Sequence, residues 1–151
     1  MTIDWDKISR FAVPDDSAGY LLWQVTHAWQ RQVEVALSEL DITHLQFVLL
    51  AGIGWLTRQG ERLTQVQLAE FCKIDVMQIS QVVRKLEAKK LVHRFPHPTD
   101  TRAKVLKLTP AGELILKQAL PRIEQLDTEF FGKGNQAVLL AELQKLQRQT
   151  E

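Results

Sequence analysis

The sequence predicts a mainly α fold with one small β-hairpin. Three features of the 151 residues carry that expectation. Apolar residues recur three and four apart along most of the chain, as core-facing helix stripes do. Period-two alternation is confined to the stretch 91–108. Thr43, Thr64 and Asp75 are each followed three positions later by Gln, the spacing of a helix start at which side chain and backbone amide cap one another.

Residues 1–16 read as an arm. Trp5, Ile8 and Phe11 are apolar and need somewhere to dock, on this chain or on a partner, and Pro14-Asp15-Asp16 separates the arm from the first long helix. That helix is expected over 17–40, with Leu21, Leu22, Val25, Ala28, Trp29, Val33, Ala36, Leu37 and Leu40 at threes and fours. Asp41-Ile42-Thr43 is a connector. The next helix, about 44–57, is apolar nearly all round, which implies burial on more than one side. Residues 58–62 form a loop.

The stretch 64–108 organises the rest. Its first helix starts at Thr64 and carries Val66, Leu68, Ala69, Phe71 and Cys72 as an apolar stripe. Lys73-Ile74 is a turn, and Asp75 caps a second helix over about 76–90. Val76, Ile79, Val82, Val83 and Leu86 share one face of it. Met77, Gln78, Gln81, Arg84, Lys85 and Lys89 project outward, with Ser80 at the border. Leu91-Val92-His93-Arg94-Phe95 alternates as a strand, 96–102 is a turn-rich loop with two prolines, and Lys104 to Leu108 alternates as a second strand. Helix, turn, helix and two-stranded hairpin is the order of a winged helix-turn-helix, a module whose second helix enters a DNA major groove. A face of amides, one hydroxyl and cations suits base edges and phosphates: Gln reads adenine and Arg reads guanine with paired hydrogen bonds. A solvated helix face has the same composition, and the hairpin, with Arg102 at its tip as a phosphate or minor-groove contact, decides between the two.

Thr109-Pro110 starts another long helix over 110–131, with Pro121 inside it and a kink or local loss of hydrogen bonding expected there. Gly132-Lys133-Gly134 is a break, and Asn135 is expected to cap a last helix bearing Val138, Leu139, Leu140, Leu143 and Leu146. Amphipathic helices at both ends exceed what the central module can cover, so they are expected to pack on each other and on a second subunit with two-fold symmetry. The resulting division is 1–40 for an arm and dimerisation helix, 41–109 for a winged helix-turn-helix lobe, and 110–151 for C-terminal dimerisation helices.

Charge is concentrated. From Lys73 to Lys107 there are nine Lys/Arg and three Asp/Glu, a net of +6 against +1 for the whole chain. Phosphate binding needs such a local field. One cysteine excludes an internal disulfide and fits a reducing compartment. The N-terminus lacks the basic and apolar regions of a signal peptide, and no apolar run approaches the ~18 residues of a membrane span. A cytoplasmic location with no membrane partner is expected.

On these residues the chain resembles MarR-type winged-helix transcriptional regulators, over about 21–146. The most specific part is the wing: Arg94, then Asp100-x-Arg102, then Leu108-Thr109-x-x-Gly112. The helix Ile79-Ser80-Gln81-Val82-Val83-Arg84-Lys85-Leu86-Glu87 also fits, with Ser80 where the family has Thr or Ser. The resemblance implies a homodimer with intertwined terminal helices, two lobes on a short inverted repeat of double-stranded DNA, and repression as the usual outcome. It implies that Asp100 orients the wing by pairing with Arg94 or Arg102 and that Arg102 reaches into the minor groove. Many relatives bind a small aromatic or phenolic molecule between the dimer helices and the lobe, which weakens DNA binding. The family often has Gly where this chain has Lys90, so Lys90 must take the left-handed conformation at some cost or end the helix differently.

Other residues have plainer readings. Cys72 lies on an apolar stripe and reads as a buried, inert thiol. His27, His44, His93 and His97 have no spacing that suggests a metal site, and His97 at the wing tip is expected to meet solvent or phosphate. Trp23, Trp29 and Trp55 read as core residues first and pocket residues second. No phosphate loop, nucleophile elbow or zinc-protease motif is present, so neither an enzyme nor a cofactor is expected. The alternative is a winged-helix protein-interaction module without operator binding, which has no need of a net charge of +6. The residues expected to contact DNA are Gln78, Ser80, Gln81 and Arg84 at base edges, Lys85 and Lys89 at the backbone, and Arg94, Asp100, Arg102 and Lys104 in the wing.

Overall fold

The computed structural model describes residues 2–132 and 136–151. The expectations for Lys133, Gly134 and Asn135 lie outside the described residues. Helices dominate: α1 (Trp5–Ile8), α2 (Ala18–Ser38), α3 (His44–Leu56), α4 (Gln65–Cys72), α5 (Val76–Ala88), α6 (Pro110–Phe131) and α7 (Gln136–Arg148). Three short strands, β1 (Leu63–Thr64), β2 (Val92–Pro96) and β3 (Lys104–Leu108), form one antiparallel sheet in the order β1-β3-β2.

The helix starts follow the local chemistry. Ser17 caps α2, and full capping boxes at Thr43 and Thr64 open α3 and α4. Each box satisfies amides that the first helical turn leaves without partners. Thr109 caps α6, with Pro110 in the first turn. That helix continues through Pro121 to Phe131; lacking an N–H, Pro121 leaves the Lys117 carbonyl without its helical donor.

The core is one cluster. Val33 and Leu37 from α2, Leu49, Leu50 and Ile53 from α3, Leu68 from α4, and Ile79, Val83 and Leu86 from α5 are fully buried in it. Leu106 of β3 and Ala119 of α6 close it. Close approaches hold it tight. A Cβ on Gly54 of α3 would lie 2.7 Å from a methyl of Leu116 on α6, and one on Gly52 would lie 2.9 Å from a methyl of Leu68 on α4.

Three expectations need correction. The hairpin is the larger part of a three-stranded sheet, because Leu63 and Thr64 pair with Leu106 and Val105 of β3. Two residues are too few for a strand pattern, and Thr64 also caps α4. Val66 and Phe71 of α4 and Val76 of α5 are exposed, although helical spacing assigned them to the apolar faces. Trp23 and Trp55 are exposed as well, and only Trp29 packs against the core.

Apolar exposure concentrates at the two ends of the chain. Trp5 and Ile8 of the arm, Leu22, Trp23 and Val25 on the N-terminal half of α2, and Val138, Leu140, Leu143 and Leu146 on α7 all face outward. No described residue of α7 is buried. Among the described residues, no helix is long and apolar enough to cross a membrane.

Candidate nucleic-acid interface

The helix-turn-helix is built locally. Lys73 ends α4 in the left-handed conformation, with φ 53°. Asp75 then restarts the chain: its Oδ1 accepts from the amides of Met77 at 2.8 Å and Gln78 at 3.4 Å. Ile79, Val82, Val83 and Leu86 are buried, and burying each is worth about 1.5–3 kcal/mol. That burial fixes which side of α5 looks out. Gln78, Gln81, Arg84 and Lys85 are exposed, and Ser80 is half-buried at the border. No other side chain among the described residues ion-pairs with Arg84 or Lys85 or bonds to Gln78 or Gln81.

The wing follows α5, with β2 packed on that helix. β2 and β3 pair with Val92 opposite Leu108 and Pro96 opposite Lys104. At the tip, Asp100 Oδ1 accepts from the Arg102 amide at 3.0 Å and lies 3.6 Å from its Nε. Asp100 therefore holds the wing tip through Arg102. The Arg102 side chain is 93% exposed and points its charge away from the protein. His97 is also a structural residue of the tip. Its Nδ1 accepts from the amides of Thr99 at 3.2 Å and Asp100 at 3.1 Å, and its own amide donates to the Ala103 carbonyl at 3.1 Å. With Nδ1 an acceptor, the neutral ring carries its proton on Nε2.

Two cations assigned to DNA have partners inside the protein. Arg94 Nε lies 3.5 Å from the Glu87 carboxylate, with the Arg94 side chain only 21% exposed, so it fastens β2 to α5. Lys89 Nζ donates to the carbonyl of Asp41, in the connector between α2 and α3, and to Oε1 of Gln46, in the first turn of α3, at 3.1 Å. Lys104, opposite Pro96 where the strands run into the tip loop, is half-buried. Glu87 and Gln46 escaped the sequence reading because nothing local marks a carboxylate or an amide as the partner of a distant cation.

Lys90 resolves the missing glycine by adopting the left-handed conformation, φ 60°. The adjoining junction is compact. Thr109 Oγ1 donates to the Lys90 carbonyl at 2.7 Å, the Thr109 amide donates to the Leu91 carbonyl at 3.1 Å, and the Gly112 amide donates to Thr109 Oγ1 at 3.0 Å. The Leu-Thr-x-x-Gly signature is thus a weld between the end of α5 and the start of α6.

A cavity of about 840 Å³ opens between the sheet and α6. Phe95, Leu116 and Leu120 give it apolar walls, and Arg58, Arg62, Lys107 and Lys117 against Glu61 and Glu113 leave its charged lining in net positive balance. Arg58 also lies over the ring of Trp55, 3.6 Å from its centroid. None of Trp23, Trp29 and Trp55 lines the cavity. Two groups elsewhere have shifted pKa values. Burial pushes the Cys72 thiol up. Burial also holds His44 below its ordinary value, against the opposing pull of Glu34 and Asp127.

Comparison with known proteins places this geometry. The MarR family model matches residues 42–104. The chain is 45% identical over 123 residues to YdcH, an HTH-type transcriptional regulator of Bacillus subtilis, covering 82% of this chain and 84% of that one. It is 33% identical over 104 residues to the multiple antibiotic resistance protein MarR of Salmonella typhimurium, covering 69% of each. The structure of a mutant Escherichia coli MarR complexed with operator DNA matches with a TM-score of 0.74 at 27% identity, over 95% of this chain and 97% of that one. That of Bordetella bronchiseptica BpsR, whose DNA binding is regulated by 6-hydroxynicotinic acid, matches with a TM-score of 0.73 at 25% identity, over 88% of this chain and 98% of that one.

Proposed function

The chain belongs to the MarR family of DNA-binding transcriptional regulators, and from that premise we propose that it is a homodimeric repressor of a pseudo-palindromic operator. The observation that carries this reading is the outward face of α5. Gln78, Gln81 and Arg84 stand exposed three residues apart along it, and Arg102 at the wing tip is exposed as well. In this reading Gln78, Ser80, Gln81 and Arg84 meet base edges, Lys85 meets a phosphate, and Arg102 enters the minor groove. Asp100 acts indirectly, by holding Arg102.

The dimer is supported by the apolar surface left open on the arm, on α2 and on α7. A chain of this size seldom exposes so many large apolar side chains at its two ends without a partner. The chain then divides into a DNA-binding lobe, 41–109, and dimerisation segments, 1–40 and 110–151. Two-fold symmetry sets the two α5 helices roughly 34 Å apart, one turn of DNA.

The cavity supports a small-molecule effector. Its volume lies within the ordinary range for ligand pockets, roughly 300–1,000 Å³. Its position between the sheet and α6 would let an occupant change the angle of the lobe. Cations over apolar walls suit an aromatic molecule with an acidic group.

The test is selection of bound DNA from a randomised duplex pool, followed by a salt titration on the winner. An enriched inverted repeat with half-sites one turn apart, bound more weakly as salt rises, is the expected result. Arg102→Ala should weaken that binding at least about tenfold, the loss of one good groove contact, while leaving the protein folded and dimeric. No enrichment from the pool by the ligand-free protein would remove the operator reading.

A further inference from the structure

We propose that Lys89 is a positioning residue, a latch that ties the recognition helix α5 to the connector between α2 and α3 and so sets the angle at which the helix meets DNA. The proposal rests on the operator-binding reading and reassigns a cation that sequence alone gives to a phosphate.

Lys89 is the C-cap of α5. Its ammonium donates to the Asp41 carbonyl and to Gln46 Oε1 at 3.1 Å, and the Asp41 carboxylate lies 3.9 Å away as an ion-pair partner. The two hydrogen bonds cross 48 and 43 residues of sequence, so they join separate parts of the fold. The side chain is 33% exposed, and reaching a phosphate would mean giving up these partners.

The acceptors are held in place. Asp41 has φ 53°, and its amide donates to the Ser38 carbonyl at 3.1 Å, which turns the chain sharply out of α2. Gln46 is only 5% exposed, and its Oε1 also accepts from the Thr43 amide at 3.2 Å as part of the capping box of α3. One amide oxygen therefore serves both the start of α3 and the end of α5. A shift of α2 relative to α3 moves Asp41 and with it Lys89. The latch is the polar link between α5 and the segment through which a dimerisation helix enters the lobe.

The test uses Lys89→Met, Gln46→Met and the double variant, each measured for operator affinity across a salt series and for urea unfolding without DNA. A latch predicts that both single variants weaken the operator by roughly three- to thirtyfold, the span of coupling between touching residues, and that the double variant is no worse than the weaker single. It also predicts an unchanged slope of log K against log salt, because no phosphate contact is lost. In urea the two substitutions should likewise be non-additive. A slope reduced by about 0.9 in Lys89→Met for each protomer, with Gln46→Met binding like the wild type, would overturn the latch and restore the phosphate contact. Additive unfolding effects would overturn it too. Failure of the operator reading would show in the wild type, which would then enrich no sequence, and the urea cycle would still decide whether the latch exists.

Discussion

Gly112→Ala isolates the weld between α5 and α6. Gly112 is the third residue of α6, where Ala is a better helix former by about 0.5–1 kcal/mol. A Cβ there would lie 2.0 Å from the Leu91 carbonyl oxygen and 3.0 Å from its carbon. Side chains do not approach oxygen closer than about 3 Å, so backbone must move by about 1 Å. The displaced carbonyl is the acceptor for the Thr109 amide, and the displaced turn carries the Thr109 cap on Gly112. Thr109 is buried, so water does not replace what is lost. Loss of the cap costs about 1 kcal/mol, and a carbonyl left without its partner about 1–3 kcal/mol. After the helix-propensity gain, roughly 2–3 kcal/mol of destabilisation remains. For a chain of this size that lowers the thermal midpoint by roughly 4–12 °C. The assay is thermal unfolding at one fixed protein concentration, since dimerisation makes the midpoint depend on it. Gly19→Ala is the matched control: it also sits in the first turn of a long helix, but its Cβ would meet nothing closer than Ser17 Oγ at 3.9 Å. If Gly112→Ala melts together with Gly19→Ala, the close-approach argument is wrong.

The same geometry sets three further outcomes. Lys90→Gly relieves a left-handed residue, so the urea midpoint should rise by the equivalent of about 1 kcal/mol, with an unchanged m-value; a lower midpoint would mean that the Lys90 side chain contributes more than its backbone costs. His44 is held below its ordinary value of 6.5, largely by burial, so the unfolded chain takes up a proton that the folded one refuses. Stability should therefore be flat above that value, decline as the pH falls through it towards the lowered folded value, and level off below, and His44→Gln should flatten the decline. Cys72, its thiol pushed up by burial, should react with a thiol probe far more slowly in the native protein than in urea at the same pH; equal rates would make it a surface thiol.

What the sequence made legible was local. The caps at Thr43, Thr64, Asp75 and Thr109 are each a side chain within three residues of the amide it serves, and the helices begin where those residues stand. The buried face of α5 was legible because Ile79, Val82, Val83 and Leu86 repeat at the helical period. What escaped depends on distant neighbours. Val66, Phe71 and Val76 have the right period but remain exposed. Leu63 and Thr64 are a strand only because β3 runs alongside. The fates of Lys89 and Arg94 depended on acceptors that spacing does not reveal, those of Lys89 more than 40 residues away, and the ring of His97 was taken by two amides within three residues of it.

The same limit applies to the charge count. Nine cations between Lys73 and Lys107 make the segment look uniformly available to DNA. The structure divides them. Lys89 and Arg94 are engaged with Gln46, Asp41 and Glu87, Lys73 lies 3.8 Å from the Glu151 carboxylate, and Lys107 lines the cavity behind the wing. Arg84, Lys85, Lys90 and Lys104 have no ion-pair partner among the described residues, and Arg102, 3.6 Å from Asp100, keeps its side chain 93% exposed. At about 0.9 counterions released per phosphate neutralised, those five cations limit the slope of log K against log salt to roughly −4.5 per protomer, or −9 for a dimer. Had all nine been available, the limit would be roughly −16. Titration of the selected operator between about 50 and 200 mM salt distinguishes the two. A slope well beyond −9 would mean that binding also recruits some of Lys73, Lys89, Arg94 and Lys107, and the slope for Lys89→Met would then say whether the tie at the C-terminal end of the recognition helix gives way.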